Sequence, residues 1–335
     1  MESAGAFENR EITWKVFGIP VHGTITAPKD HDVHPAVVFL AGSGPTDSNW
    51  CSPMLPGSNG TAKILAEKLA RRGYVTLRYD KLGSGPHVSE NLSKFAGRLT
   101  MSTFVDELRG GIETLALQKN VDSSKLYALT NSEGAIHAVN YQFETKRTGF
   151  RGLVLTGAPG RAIGEVARTQ FLNQSKSLPD VEAVLKHYDR AVEDFLAGRS
   201  IVIDPSLPKG FEQLFRSLES PFNLPFSREL WTYNLSEYIK QVTDPILVLI
   251  GKKDVQVDWQ LEGKPLEDAL LLNIQASVSN PEYANHVLKH EELPREKLSP
   301  EYVGARYNAD DAQLDNETAN IIFNWIAKQD TKASI

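Results

Sequence analysis

Short, continuous apolar runs alternate with amphipathic stretches along most of this chain, and this alternation is the feature that most constrains its fold. Pro35–Leu40 and Pro245–Gly251 are runs typical of strands buried on both faces of a parallel sheet. Ala62–Arg72 and Thr103–Leu117 have the apolar spacing of crossover helices. We therefore predict an α/β fold with a mostly parallel, doubly wound sheet.

The two ends of the chain carry different patterns. Glu11–Val16 and Val21–Ala27 each alternate in strand fashion around a Gly-Ile-Pro turn, which predicts an N-terminal antiparallel hairpin. Near the other end, the apolar residues of Ala269–Ile274 predict the last strand, and Glu317–Lys328 predicts a closing amphipathic helix.

One long stretch interrupts the alternation. Residues 162–240 contain helical patterns but no convincing strand, so we predict a helical cap inserted into a core formed by residues 1–161 and 241–335. We expect most of its large apolar residues to pack between helices and some to line a pocket. They are Val181, Val184, Leu185, Tyr188, Val192, Phe195, Leu196, Phe211, Leu214, Phe222, Phe226, Leu230 and Trp231.

Charge and cysteine content exclude several classes of protein. The formal net charge of −6, with no Lys/Arg cluster, argues against a nucleic-acid partner. No run of about 18 uncharged apolar residues predicts a membrane span, and Met1–Arg10 lacks the apolar part of a signal peptide. The single cysteine, Cys51, permits no intrachain disulfide or cysteine metal cluster. We expect a cytoplasmic protein without a metal or cofactor, and the sequence leaves its oligomeric state open.

The segment Lys125–Gly134 contains a candidate nucleophile. An apolar strand runs directly into Asn131-Ser132-Glu133-Gly134, followed by a helical pattern. A serine on such a sharp strand-to-helix turn is presented above the sheet as a nucleophile. The usual pattern is Gly-x-Ser-x-Gly, and Thr130 stands in place of the first glycine. On these residues alone, Ser132 fits a helix N-cap serine as well as a nucleophile.

A nucleophilic serine needs a base and an acid, which in hydrolases with this elbow follow it along the chain. Asp254 lies on the loop after the apolar strand Pro245–Ile250, and Asp258 is the alternative. His286 lies between the predicted last strand and the closing helix, and His290 is the alternative base.

The motifs together carry a resemblance. They are Leu40-Ala-Gly-Ser-Gly-Pro-Thr-Asp47, Leu77-Arg-Tyr-Asp-Lys-Leu-Gly83, Asn131-Ser-Glu-Gly134, Gly251-Lys-Lys-Asp254 and Ala284-Asn-His286. In kind and order they resemble those of bacterial α/β-hydrolase-fold serine esterases of the dienelactone-hydrolase-like and serine-aminopeptidase-like group. The resemblance implies that Ser132, Asp254 and His286 form a catalytic triad.

The first motif has a predicted role in acyl transfer. Two backbone N–H groups must stabilise the oxyanion that forms on the substrate carbonyl. We expect the donors to be the N–H groups of Ser43 and Glu133, with Gly42 and Gly44 allowing the backbone to approach the substrate. We interpret Asp47 and Asp80 as structural loop carboxylates.

The sequence thus favours a serine carboxylesterase whose cap provides an apolar site for small to medium acyl esters. An aminopeptidase, a thioesterase or a lactonase would use the same triad and remains open. An aminopeptidase would need a carboxylate facing the substrate amine, for which Glu165 or Glu182 would qualify. The departure at Thr130 also leaves open a hydrolase-fold protein that binds a small ligand without turnover.

Overall fold

The computed structural model describes residues 6–145, 149–175, 180–205, 207 and 209–331. Its described residues form one sheet in the order β1-β2-β4-β3-β5-β6-β7-β8. Strand β2 pairs antiparallel with β1 and β4, and the other neighbours pair in parallel. The predicted fold class is confirmed, including the N-terminal hairpin. The strands are β1 (Phe7–Val16), β2 (Ile19–Pro28), β3 (His34–Leu40), β4 (Val75–Tyr79), β5 (Val121–Asn131), β6 (Gly152–Thr156), β7 (Ile246–Leu249) and β8 (Ala276–Ser279).

Helices cover both faces of this sheet. In β3, Ala36, Val38 and Leu40 pack on the same side as helices α3 and α4, whereas Val37 and Phe39 pack on the side of α1 and α12. The continuous apolar run of β3 therefore reflects burial on both faces. The helices are α1 (Thr61–Ala70), α2 (Val88–Phe95), α3 (Met101–Ala116), α4 (Gly134–Glu144), α5 (Ile163–Ser175), α6 (Val181–Leu196), α7 (Lys209–Leu218), α8 (Phe226–Thr232), α9 (Leu235–Ile239), α10 (Gly263–Ala269), α11 (Pro300–Tyr307) and α12 (Asn316–Thr331).

The predicted last strand is wrong in its position. Ala269 ends helix α10, and the side chains of Leu271, Leu272 and Ile274 are 76%, 96% and 97% exposed. The last strand is β8, which pairs only with β7 and whose residues are partly exposed. A partly exposed edge strand does not need the continuous apolar run of a central strand. The apolar pattern therefore placed the predicted last strand in the wrong segment.

The stretch 162–240 contains helices α5 to α9 and lies between β6 and β7. Around Tyr188, Phe195 and Phe215, helices α5 to α8 bury an apolar cluster that is separate from the two clusters beside the sheet, whereas Leu235 and Ile239 of α9 belong to the cluster on the α3 and α4 side of the sheet. Of the predicted apolar residues, Leu196 and Phe222 are exposed, with 41% and 36% of their surfaces accessible. Across the described ranges, no helix combines the length and apolar character needed to cross a membrane.

Helix α4 packs unusually close to strand β3. A Cβ atom at Gly134, the first residue of α4, would lie 2.5 Å from the carbonyl oxygen of Leu40 and 2.9 Å from that of Ala41. Only glycine allows this approach, because real Cβ atoms do not come so close to backbone oxygens. The contact fixes the start of α4 directly above the end of β3.

We predict that Gly134→Ala lowers the free energy of unfolding by about 1–3 kcal/mol, because the new methyl group must push helix and strand apart. Gly210→Ala is the matched control, because Gly210 lies in α7 with open space where its Cβ would be. It should be neutral or stabilising by up to about 1 kcal/mol. Urea denaturation measures both, and equal effects of the two substitutions would contradict the close contact.

Candidate active site

Ser132 occupies a strained turn between β5 and α4. Its φ is +53°, in the left-handed region that non-glycine residues avoid. Its N–H donates to the carbonyl of Thr156 at 2.8 Å, and its own carbonyl accepts from the N–H of Ala135 at 3.0 Å. The serine is thus held between the neighbouring strand and the first turn of α4. Such strain at the end of a central strand is a mark of a functional residue.

Two glycines beside this turn leave room for the side chains of Ser132 and His286. A Cβ at Gly42 would lie 3.2 Å from the Cβ of Ser132, and one at Gly157 would lie 3.1 Å from the imidazole of His286. Thr130 departs from the usual glycine but is fully buried within the sheet. Its hydroxyl donates to the carbonyl of Val154 at 3.3 Å, so the larger side chain is accommodated between β5 and β6.

His286 and Asp254 form a buried pair on neighbouring loops. The Nδ1 atom of His286 lies 2.8 Å from Oδ2 of Asp254, and the two side chains are 6% and 0% exposed. The other carboxylate oxygen accepts the N–H groups of Gln256 and Val257, both at 2.8 Å. The Asn131 amide donates to the carbonyl of His286 at 2.8 Å and so joins this loop to the serine turn.

The alternative acid and base are occupied by other partners. Asp258 pairs with Arg295 at 2.7 Å, and His290 pairs with Asp315 at 2.9 Å. Neither of these pairs includes a residue of the serine turn. Of the acid and base candidates, the structure brings Asp254 and His286 together.

One cavity of about 550 Å³ joins the predicted site residues. Gly42, Ser43, Gly44, Ser132, Glu133 and His286 all line it. Asp254 lies behind His286 and does not reach the cavity wall. The opposite wall is largely apolar and comes from the helical stretch between β6 and β7, with Ile163, Val166, Leu214, Leu218, Leu230 and Trp231.

A buried charged cluster beneath the serine turn was not predicted. Glu133 Oε1 lies 3.2 Å from Nζ of Lys81 and 3.1 Å from Nε2 of His137. Burial opposes ionisation of Glu133, but Lys81 and His137 hold its pKa well below the usual range. Burial lowers the pKa of His137, which favours its neutral form. The available sequence signal was the charged Asp80-Lys81 pair directly after the buried strand β4, within the motif Leu77–Gly83.

The loop carboxylates of Asp47 and Asp80 accept backbone hydrogen bonds, and the Cys51 thiol is a weak nucleophile. Asp47 accepts the backbone N–H groups of Asn49 and Cys51, and Asp80 accepts that of Ser48 at 2.7 Å. Cys51 is buried, and burial raises its pKa to about 11. A thiol with that pKa is protonated at neutral pH and therefore a weak nucleophile.

The buried carboxyl group of Glu107, in α3, should make the stability of the folded protein depend on pH. Burial raises the pKa of this carboxyl from 4.5 to about 8, so the folded protein keeps a proton that the unfolded chain releases. This contribution is complete below about pH 4.5 and is lost as the pH rises through about 8. Glu107→Gln keeps an oxygen for the Leu82 N–H but cannot ionise.

We therefore expect the free energy of unfolding of the wild type to fall, relative to that of Glu107→Gln, between about pH 5 and pH 8. Urea denaturation of both proteins across this range measures the difference. A difference that does not change with pH would contradict the raised pKa.

Comparison with known proteins gives one curated relative and many similar structures. No family model matches the chain. Esterase EstD of Thermotoga maritima is 26% identical over 255 residues, which are 75% of this chain and 53% of that protein. This chain therefore spans about half the length of that relative.

Several solved structures match nearly the whole chain, and some of them also match over nearly their own full length. VinJ superimposes with a TM-score of 0.56 at 18% identity, and the alignment covers 96% of this chain and 99% of VinJ. The α/β-hydrolase GrgF from Penicillium sp. sh18 gives a TM-score of 0.55 at 11% identity, again over 96% and 99%. The chain has the α/β-hydrolase fold, and the resemblance to esterases of this fold is confirmed by the similarity to EstD.

Proposed function

We propose that this chain is a serine esterase that hydrolyses uncharged esters of small to medium apolar acids through an acyl-enzyme on Ser132. The observation that carries this proposal is that Ser132, on its strained turn, shares a cavity with His286, which is itself paired with Asp254. The similarity to Esterase EstD supports ester hydrolysis as the reaction.

In this mechanism His286 acts as the general base. Its Nδ1–H donates to Asp254, which leaves Nε2 unprotonated and free to take the proton of the Ser132 hydroxyl. The serine oxygen attacks the ester carbonyl, and the alcohol leaves with the proton from His286. A water molecule, activated by the same imidazole, then attacks the acyl-enzyme and restores the serine.

The oxyanion formed in each step needs two N–H donors. We assign them to Ser43, on the loop after β3, and to Glu133, at the start of α4. Both residues line the cavity with Ser132. The N-terminus of α4 adds a positive potential at the same place.

The apolar wall supports a substrate with an apolar acyl or alcohol group. We propose that residues 162–240 form a cap on a core of residues 1–161 and 241–335, since they bury their own apolar cluster and contribute that wall. A concave site of this size, apolar with a few convergent polar groups, is typical for a small organic ligand.

The cavity disfavours an aminopeptidase. Of the described residues that line it, only Glu133 is a carboxylate, and Lys81 and His137 hold that group. Glu165 and Glu182 are not among the lining residues. A substrate ammonium group would therefore find no free acidic partner here, and burial without one is costly.

We predict that the purified protein releases p-nitrophenol from p-nitrophenyl butyrate and that Ser132→Ala lowers kcat by about 10⁴-fold or more, because the nucleophile is lost. Ser89→Ala is the control, because Ser89 is an exposed serine of α2. A fluorophosphonate should label the wild type at Ser132. Turnover by the wild type no faster than by Ser132→Ala would instead support a ligand-binding protein.

The apolar wall predicts a preference among acyl groups. Butyrate esters should have a higher kcat/KM than acetate esters, by up to about tenfold, because two more methylene groups leave water. Leu214→Asp, in the cavity wall, should abolish this preference, whereas Leu196→Asp, on the exposed side of α6, should retain it. Faster turnover of alanine p-nitroanilide than of the butyrate ester would contradict an esterase with an uncharged substrate.

A further inference from the structure

A buried ion pair lies directly beneath the serine turn. Lys81 follows β4 and Glu133 follows Ser132, and their side chains are only 6% and 3% exposed. Removing two charges from water is costly, and a buried pair often contributes less stability than apolar residues of the same size. Stability alone therefore gives a poor reason for these two charged residues at this place.

The pair also holds the loop that follows β3. The Lys81 ammonium group donates to the carbonyl oxygen of Gly42 at 2.5 Å. The same ammonium group lies 3.2 Å from Oε1 of Glu133. Lys81 thus joins the loop after β3 to the residue that follows Ser132.

The hydrogen bond from Lys81 to the Gly42 carbonyl also sets the direction of the Ser43 N–H, because both groups belong to one peptide. The Gly42 carbonyl and the Ser43 N–H belong to one planar trans peptide, in which C=O and N–H point in opposite directions. A carbonyl directed at the buried Lys81 therefore turns the N–H of Ser43 away from the interior. The second donor, the N–H of Glu133, belongs to the residue whose side chain completes the pair.

We propose that Lys81 is a positioning residue for the oxyanion hole, which it orients by holding the Gly42 carbonyl and the Glu133 carboxylate together. This inference rests on the proposed function, because it concerns the donors of that acyl-transfer reaction. The ion pair is internally neutral, so Lys81 acts through the orientation of the Gly42–Ser43 peptide and does not touch the substrate.

The first test is Lys81→Met, which keeps the length of the side chain but removes the ammonium group. We expect kcat for p-nitrophenyl butyrate to fall by up to about 10²-fold, as when one oxyanion donor is lost, with KM changed less than about threefold. The inhibition constant of a trifluoromethyl ketone, which forms a tetrahedral adduct on a serine, should rise by a similar factor. Lys81→Arg should restore part of the activity.

Glu107→Gln is the matched control, because Glu107 is a buried carboxyl group that interacts electrostatically with both Lys81 and Glu133. Its raised pKa keeps Glu107 neutral at pH 7, so glutamine preserves both charge and shape, and the carboxyl bonds the Leu82 N–H and not the Gly42–Ser43 loop. Its kcat should stay within about twofold of the wild-type value.

A second variant separates positioning from stability. Lys81→Met alone leaves the buried Glu133 carboxylate without its ammonium partner, whereas Lys81→Met/Glu133→Gln removes both charges and should fold even where the single variant does not. If positioning is the role, the double variant melts cooperatively yet keeps the loss in kcat and in inhibitor affinity. If the role is only structural, the double variant regains wild-type kcat, and the proposal is overturned.

The remaining outcomes are distinguishable. A wild-type enzyme that is active, together with a folded Lys81→Met variant of unchanged kcat and unchanged inhibition constant, overturns this inference and leaves the esterase function intact. A wild-type protein no more active than Ser132→Ala overturns the function and the inference together.

Discussion

The close approach of β3, β5 and α4 at the carboxyl edge of the sheet is the constraint on which the proposed site depends. Gly134 allows α4 to begin against the carbonyl of Leu40, and Ser132 absorbs the resulting sharp turn with a left-handed backbone. This backbone fixes the position of the Ser132 Cβ atom at the end of β5. The loop after β3 is brought beside it by the same contact, so one packing arrangement positions both the proposed nucleophile and the proposed oxyanion donors.

Much of this arrangement was predictable from the sequence, because parallel strands and their following loops leave local patterns. The run Pro35–Leu40 and the strand before Ser132 identified the centre of the sheet, and the position of Asp254 and His286 followed from chain order. The position of the edge strand β8 was predicted wrongly. Its partly buried residues form no apolar run, whereas the exposed residues Leu271, Leu272 and Ile274 form an apolar pattern like that of a strand.

The cluster around Lys81 was not predictable in the same way. Lys81 and Glu133 are 52 positions apart, and their pairing depends on the parallel sheet bringing the ends of β4 and β5 to one edge. A single charged residue after a strand normally indicates a solvent-exposed loop. Lys81 is buried because the loop after β3 covers it, and this tertiary contact leaves no pattern in the local sequence.

The distribution of charge around the cavity explains why such a site would stabilise a transition state more than its substrate. Lys81 is paired with Glu133, and the Asp254 carboxylate lies behind His286, where it accepts hydrogen bonds from the His286 Nδ1–H and two backbone N–H groups, so the charged groups closest to Ser132 all have partners within the protein. A neutral ester entering between these pairs and the apolar wall meets no strong charge. Negative charge appears on its carbonyl oxygen only during attack, where the backbone donors and the α4 terminus are already oriented. Because the apolar wall lowers the local dielectric constant, that interaction is stronger than it would be in bulk water.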